Sequence, residues 1–171
     1  MQANIENRER RSIRLQGYNY SGEGRYFITI VLHERMPLFG RLEKSKMILS
    51  EAGQYAHDCW LKIPEHYPHV ILHEFIIMHD HVHGIIELKK REETDSTSTS
   101  PIRKNTFTKI IPGSIGSIIR SYKAAVTTWV KIHHRLPEVW QRNYYEMIIK
   151  DDDAYQKICA YIRNNPIKHS R

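Results

Sequence analysis

Apolar and polar residues between Phe75 and Leu88, FIIMHDHVHGIIEL, form a pattern typical of two β-strands joined by a tight turn. Two apolar runs flank the polar tripeptide His79-Asp80-His81. Because successive side chains of a strand point to opposite faces, His81 and His83 are expected to project from one face of the second strand. The pattern therefore predicts a rigid strand that holds two imidazole rings side by side.

The periodicity of the rest of the chain predicts alternating strands and helices. Aromatic and β-branched runs predict strands over residues 26–32, 70–78, 82–88 and 139–149, and apolar residues at three-to-four spacing predict helices over 42–63, 115–132 and 154–165. Pro64 and Pro166 are expected to stop the first and last helices. The resulting order, β-α-β-β-α-β and a further helix, predicts an α+β, ferredoxin-like split βαβ fold with a four-stranded antiparallel sheet.

Composition adds a domain count and a compartment. The chain has 171 residues, 40% of them hydrophobic, which suits one globular domain over residues 15–171. Neither a membrane span nor a secretory signal is expected, because no apolar run approaches ~20 residues and the N-terminus is polar and charged. Cys59 and Cys159 form no disulfide framework, which favours a reducing cytoplasm.

Two polar segments are expected to lie outside the packed domain. Residues 1–14 carry four arginines and few apolar residues, which predicts a basic N-terminal arm; these are Arg8, Arg10, Arg11 and Arg14. The charged and Ser/Thr-rich stretch near residues 89–101 has nothing to bury and predicts a mobile surface loop.

The charge balance favours a polyanionic partner. The net charge is +7 and the pI is about 9.4, so nucleic acid is the first class of partner to consider. The arginines of the arm could follow a phosphate backbone. Arg120 and Lys123, on the polar side of the helix predicted over 115–132, mark either a solvated face or a DNA-facing one.

The candidate chemistry combines His81 and His83 with the last predicted helix. Two imidazoles form half of a divalent-metal site, although on pattern alone histidines on a half-exposed strand without a catalytic role are the better reading. Tyr161 and Asn165 are four residues apart and would share one helical face. If that helix packs over the histidines, Asn165 becomes a third metal ligand and Tyr161 a nucleophile toward a phosphodiester. Lys157, one turn earlier, could favour the phenolate.

Alternatives remain open at this point. Tyr144 and Tyr145 are adjacent on a predicted strand and must face opposite ways, one toward the core and one near the surface, and either could be a nucleophile. Three functions fit these residues. They are a DNA strand-transfer enzyme that works through phosphotyrosine, a DNA-binding protein without chemistry, and a metal phosphodiesterase that uses water.

Several segments together resemble a known family. MHDHVHGII is similar to the signature of the HUH single-tyrosine transposases, in which two histidines flank a hydrophobic residue. The stretches GYNYSGEGRYFITI, HDCWLKIPEHYPHV, GSIIRSYKAAVTTWV, WQRNYYEMII and YIRNNPIKH resemble the REP-associated tyrosine transposases in order and spacing, over roughly residues 11–169. The resemblance identifies residues 15–171 as one HUH transposase-like domain.

The resemblance implies a complete activity. His81, His83 and Asn165 would bind Mg²⁺ or Mn²⁺, and Tyr161 would form a 5′-phosphotyrosine link that frees a 3′-hydroxyl. The substrates would be single-stranded DNA hairpins of repeated extragenic palindromes, and the protein would be a monomer or a homodimer. This sequence departs from the family at one turn, since His79 and Asp80 stand where the family usually has Pro-Asn. His79 could be a further group near the metal or an exposed turn residue.

Overall fold

The structure, a computed structural model, describes residues 22–90 and 111–168. The arm predicted over 1–14 and most of the loop predicted near 89–101 lie outside them. Within the described residues the elements are, in chain order, β1 (Gly24–Val31), β2 (Gly40–Glu43), β3 (Lys46–Leu49), α1 (Glu51–Leu61), α2 (Ile63–His66), β4 (Val70–Ile77), β5 (His81–Leu88), α3 (Ile115–His134), β6 (Tyr145–Ile149), α4 (Asp152–Arg163) and α5 (Asn165–Lys168).

Four strands form the main sheet in the order β4-β5-β1-β6, and every neighbouring pair is antiparallel. This confirms the ferredoxin-like split βαβ arrangement, with β1 in the interior of the sheet as its continuous apolar run indicated. β4 and β5 form the hairpin predicted around His79 and Asp80, and the Met78 N–H donates to the His81 carbonyl oxygen at 2.8 Å.

The two faces of the sheet are covered differently. On one face, α1, α2 and α3 pack a large apolar core against alternate residues of the strands, among them Tyr26, Ile28, Val82 and Ile86. On the other face, Cys159 and Ile162 of α4 pack against Phe27, Ile85 and Ile149. The period of two along β1 and β5 therefore separates a structural face from the face that carries the histidines.

Gly84 allows the large core to approach β5 closely. A Cβ atom on Gly84 would lie 2.3 Å from Cζ2 of Trp60, a fully buried indole of α1. The indole ring therefore packs directly on the backbone between His83 and Ile85, which makes the strand that carries the histidines part of the best-packed region.

The helix predicted over 42–63 is wrong in its first part. Residues 40–49 instead form the β2–β3 hairpin, whose turn residues Lys44 and Ser45 adopt positive φ angles of 45° and 62°. The helix begins at Glu51, where the Ser50 hydroxyl accepts a hydrogen bond from the Gly53 N–H at 3.1 Å. Helix α1 ends at Leu61, before Pro64 as predicted, and Pro64 occupies the first turn of the short helix α2, where its missing N–H is tolerated.

Two other predicted boundaries also shift. Regular strand β6 begins at Tyr145 rather than Val139, and Trp140 forms only an isolated bridge with Leu32. The last helix ends at Arg163, and Pro166 lies in the first turn of the short helix α5. The helix over 115–132 is confirmed as α3, and Asp151 caps α4 by accepting a hydrogen bond from the Ala154 N–H at 2.7 Å. Among the described residues, no helix has the length and apolarity to cross a bilayer.

Candidate active site

The two strand histidines lie together beneath α4. His81 and His83 are opposite Val31 and Thr29 in the β1–β5 register, and both side chains point to the sheet face on which α4 packs. Their ring centroids are 4.5 Å apart, and the residues are 4% and 6% exposed. The predicted pairing of imidazoles is therefore present in the structure.

Polar and aromatic neighbours orient the His83 ring. Nδ1 of His83 lies 2.8 Å from the Thr29 hydroxyl, and the ring stacks on Phe27 with centroids 5.4 Å apart. In the tautomer with its proton on Nδ1, His83 donates to Thr29, and the lone pair of Nε2 faces away from that bond. A histidine held in this way can present Nε2 to a proton or to a metal ion.

The His81 ring is oriented by Asp80. Its Nδ1 lies within hydrogen-bond distance of an Asp80 carboxylate oxygen, and the other oxygen accepts from Arg35 at 3.1 Å. Burial alone would raise the pKa of Asp80, but the hydrogen bonds from His81 and Arg35 and the charges of His81 and His79 outweigh it, so the pKa is lowered. Asp80 is thus an ionised acceptor that fixes the Nδ1-protonated form of His81.

Tyr161 brings a phenol to these imidazoles. Its hydroxyl oxygen lies 3.3 Å from Nε2 of His83, and the two rings are 5.2 Å apart. Phe27 contacts Tyr161 edge-on with centroids 6.1 Å apart. The residue is 37% exposed, so one side of the phenol is open to solvent. His83 and Tyr161, 78 residues apart in the chain, thus form one polar contact at the surface.

Asn165 follows Tyr161, but not on the same helix. Helix α4 ends at Arg163 and is capped by Asn164, and Asn165 begins α5 with a completely buried side chain. The sequence argument that one helical face carries both residues is therefore wrong, because Asn165 lies two residues beyond the end of the helix that carries Tyr161. Among the described residues, no three histidine, cysteine or carboxylate side chains form a metal-binding cluster.

The supporting cations lie apart from the histidines. Lys157 pairs with Asp153 on the exposed side of α4 at 2.6 Å. Arg120 is exposed on α3, in the layer on the opposite sheet face. Lys123, also on α3, donates to the Gln141 carbonyl oxygen at 2.7 Å, and burial lowers its pKa to about 8. The arm arginines lie outside the described residues.

The three remaining candidate residues from the sequence, Tyr144, Tyr145 and His79, differ in environment. Tyr144 packs against the large core, whereas Tyr145 is 38% exposed on the face of the histidines, as expected for adjacent residues that face opposite ways. His79 is half-buried in the turn, with Nε2 3.6 Å from an Asp80 oxygen and its ring 6.4 Å from that of His81.

Sequence reasoning did not assign a role to Phe27, Thr29 or Asp80. Alternation along β1 puts Phe27 and Thr29 on one face. Their contact with His83 depends on the β1–β5 register, which places Thr29 opposite His83, 54 positions later in the chain. The signal for Asp80 was its position directly before His81, where a short acidic side chain can reach the next imidazole.

Polar contacts fix the first half of α4 to the sheet. The Arg25 guanidinium pairs with Asp152 at 2.7 Å and lies over the Tyr155 ring at 4.7 Å. The Tyr155 hydroxyl lies 3.0 Å from Nδ1 of His73, whose Nε2 is 2.8 Å from Glu87. These contacts set the position of α4 two turns before Tyr161.

The chain is similar in sequence to two Haemophilus influenzae proteins. No protein-family model matches the chain. A Haemophilus influenzae protein described as uncharacterized is 44% identical over 159 residues, which are 92% of this chain and 88% of that protein. Another H. influenzae protein, named "Putative REP-associated tyrosine transposase", is 24% identical over 151 residues, 88% of this chain and 74% of that protein.

A solved structure has the same fold. It is described as a REP-associated tyrosine transposase bound to a REP hairpin, and it superposes with a TM-score of 0.55 at 19% identity. The match covers 91% of this chain and 74% of that one. It supports the four-stranded antiparallel sheet and the placement of the helices.

Proposed function

The chain belongs to the same family as its uncharacterized H. influenzae relative and resembles the REP-associated tyrosine transposases, and from this premise we propose that it processes DNA. Its substrate would be single-stranded DNA at palindromic hairpins, which it cuts and rejoins through a covalent 5′-phosphotyrosine intermediate. The hairpin named with the related structure supports this class of partner.

The proposal rests on one observation. The Tyr161 hydroxyl oxygen lies 3.3 Å from Nε2 of His83, whose ring is paired with that of His81. A phenol in contact with the His83 imidazole, and exposed on one side, can meet a phosphate that approaches from solvent. Neither Tyr144, which packs against the core, nor Tyr145, whose ring contact is with Phe27, has this arrangement.

In the proposed reaction, the Tyr161 oxygen attacks phosphorus and forms a tyrosine–phosphate ester. The bond from phosphorus to the 3′ oxygen breaks, and that oxygen receives the proton that the phenol releases. Cleavage thus leaves a free 3′-hydroxyl and a 5′-phosphate on the protein. Attack by a 3′-hydroxyl on this ester reverses the step, joins two DNA ends and restores the phenol.

The residues present fit a divalent ion. Thr29 and Asp80 engage Nδ1 of the two histidines, so Nε2 would be the ligand atom of each, and the Asn165 amide oxygen would complete the set. Two imidazoles and one amide suit Mn²⁺ better than Mg²⁺. When bound, the ion would polarise the phosphate that is attacked. Lys157 would assist only after exchanging its contact with Asp153.

A covalent-capture assay tests the proposal. The protein is incubated with Mn²⁺ and end-labelled single-stranded hairpins from repeated extragenic palindromes, and the products are separated on a denaturing gel. Wild-type protein is expected to give a shifted, protease-sensitive band. Tyr161→Phe should give none, whereas Tyr145→Phe, a matched control on the same sheet face, should retain it.

Other outcomes separate the alternative functions. Cleavage without an adduct would indicate a water-using phosphodiesterase, and binding without cleavage would indicate a hairpin-binding protein. Loss of the adduct in Tyr145→Phe alone would transfer the nucleophile to Tyr145.

A further inference from the structure

Among the described residues, no helix covers the sheet surface beside Tyr161 on the β6 side as fully as α4 covers β4. β6 is an edge strand, and α4 packs more over β4 than over β6. Tyr145 and Met147 are opposite Thr29 and Phe27 in the β1–β6 register, so they share the face of the histidines. Both are 38% exposed, so two large side chains of this face are accessible to a ligand beside Tyr161.

This surface is continuous with the candidate active site. Phe27 lies between the two tyrosines, with its ring 6.3 Å from that of Tyr145 and 6.1 Å from that of Tyr161, both edge-on. On its other side Phe27 stacks on His83. The same aromatic residue thus joins the Tyr145 surface to the phenol and to the imidazole, and a ligand at Tyr161 that extends toward β6 would contact Tyr145.

From this arrangement we propose that Tyr145 and Met147 form a stacking site for an unpaired nucleobase next to the phosphate that Tyr161 attacks. This inference rests on the proposed function. A nucleobase is the occupant that fits, because it is flat and apolar on its faces and is linked to a phosphate, while the chain is basic overall. A tyrosine ring and a polarisable thioether can hold such a base without reading its identity.

The site gives Tyr145 a role that differs from that of a nucleophile. Stacking needs the aromatic ring and not the hydroxyl, so Tyr145→Phe should be neutral. Tyr145→Leu retains apolar bulk beside Phe27 but removes the ring. It should weaken binding of single-stranded DNA by about 5- to 150-fold, the effect expected when a stacking aromatic residue is removed.

The test measures binding separately from cleavage. Full-length protein with Tyr161→Phe is titrated into single-stranded oligonucleotides in which 2-aminopurine replaces one base at a time along the unpaired foot of a hairpin. Stacking on an aromatic ring quenches 2-aminopurine fluorescence. With Tyr145 or Tyr145→Phe in this background, we expect quenching at one position. With Tyr145→Leu, we expect the quenching to be lost and the affinity to fall. Ile132→Ala, at a 68% exposed apolar residue of α3, is the control and should change neither.

Each result either supports or overturns the stacking site. Equal quenching and affinity in Tyr145→Leu would overturn it, as would a lack of quenching at every position with the Tyr145 protein. Circular dichroism of Tyr145→Leu separates a lost ring from a lost fold, and Met147→Ala, which leaves Phe27 covered by Tyr145, gives a second measurement in which a smaller loss of affinity is expected. If the capture assay gives no adduct but quenching depends on the ring at 145, the proposed chemistry fails and the binding site stands. If adducts form and the ring at 145 has no effect on quenching or affinity, the proposed chemistry stands and the stacking site is overturned.

Discussion

At the scale of single residues, Asp80 controls the tautomer of its neighbour, because its carboxylate determines which nitrogen of His81 carries the proton. It is 4% exposed and also pairs with Arg35 at 3.1 Å, so two cationic or donor groups share one buried carboxylate. A carboxylate that orients a ligating histidine typically changes metal affinity strongly when it is removed.

Asp80→Ala is therefore expected to weaken Mn²⁺ binding by about 10- to 100-fold, because His81 loses the acceptor that fixes its Nδ1–H. Asp80→Asn, which keeps an oxygen acceptor, should lose less. Isothermal titration with Mn²⁺ in the absence of DNA measures the effect. Asp58→Ala, at an exposed carboxylate of α1 that bonds Gln54, is the control; equal affinities for Asp80→Ala and wild type would contradict the assignment.

Lys123 predicts a pH dependence of stability. Burial lowers its pKa to about 8, whereas an unfolded chain has a lysine pKa of about 10.4. Between these values the unfolded state binds more protons, so the free energy of unfolding should rise with pH across that window. Urea titrations below and above the window should show wild type gaining stability relative to Lys123→Met. A constant difference would mean that the amine stays charged in the fold.

The residues that the sequence could and could not predict differ in one physical respect. His81 and His83 were placed on one face by alternation within a single strand, which is a local property. Thr29 and Phe27 become neighbours of His83 only through strand register, and Asn165 lies beyond a helix end that Pro166 marked only to within a few residues. Register and helix ends depend on tertiary packing.

At the scale of elements, the same distinction explains the β2–β3 hairpin. Between Leu42 and Ile63, the apolar residues fit the repeat of a helix, and the first of them also fit the alternation of short strands. The sequence therefore predicted one helix over a segment that contains a hairpin and a helix. Ser50, a good N-cap residue directly before Glu51, was the local signal for the true helix start. The long apolar strands β1, β4 and β5 and the helix α3 were predicted correctly, because their patterns persist over eight residues or more.

Helix α4 depends on Arg25 for its position on the sheet. Arg25→Met removes the ion pair with Asp152 and the cation–π contact with Tyr155. We expect faster amide hydrogen exchange in α4 with little change in β5. Lys157→Met, which breaks only an exposed ion pair within α4, is the matched control. Unchanged protection of α4 in Arg25→Met would show that the apolar contacts of Cys159 and Ile162 suffice.

At the scale of the whole molecule, the sheet separates stability from the candidate chemistry. The large core with α1 and α3 lies on one face, and the histidines, Tyr161 and Tyr145 lie on the other. Substitutions at the exposed site residues should therefore change DNA processing while leaving the large core intact, which makes variants such as Tyr161→Phe suitable for binding studies.

The net charge of +7 predicts that DNA binding depends strongly on salt. We expect a plot of log affinity against log salt concentration to have a slope of about −3 or steeper, since each phosphate contact on a single strand contributes roughly −0.7. Replacing Arg8, Arg10, Arg11 and Arg14 with glutamine should flatten the slope if the arm follows the backbone. Fluorescence anisotropy with a labelled hairpin measures both. A slope near zero in wild type would rule out the basic surface as the binding site.

Lys150 and Asp151 alone connect β6 to α4, so the helix that carries Tyr161 folds back onto its own sheet and meets His83 of the same chain. Each polypeptide therefore holds both halves of the candidate centre. Two defective copies, one with His81→Ala and one with Tyr161→Phe, should be unable to rescue each other when mixed or co-expressed. In genetic terms the two lesions would belong to one complementation group. Activity would be proportional to the number of chains that carry neither substitution.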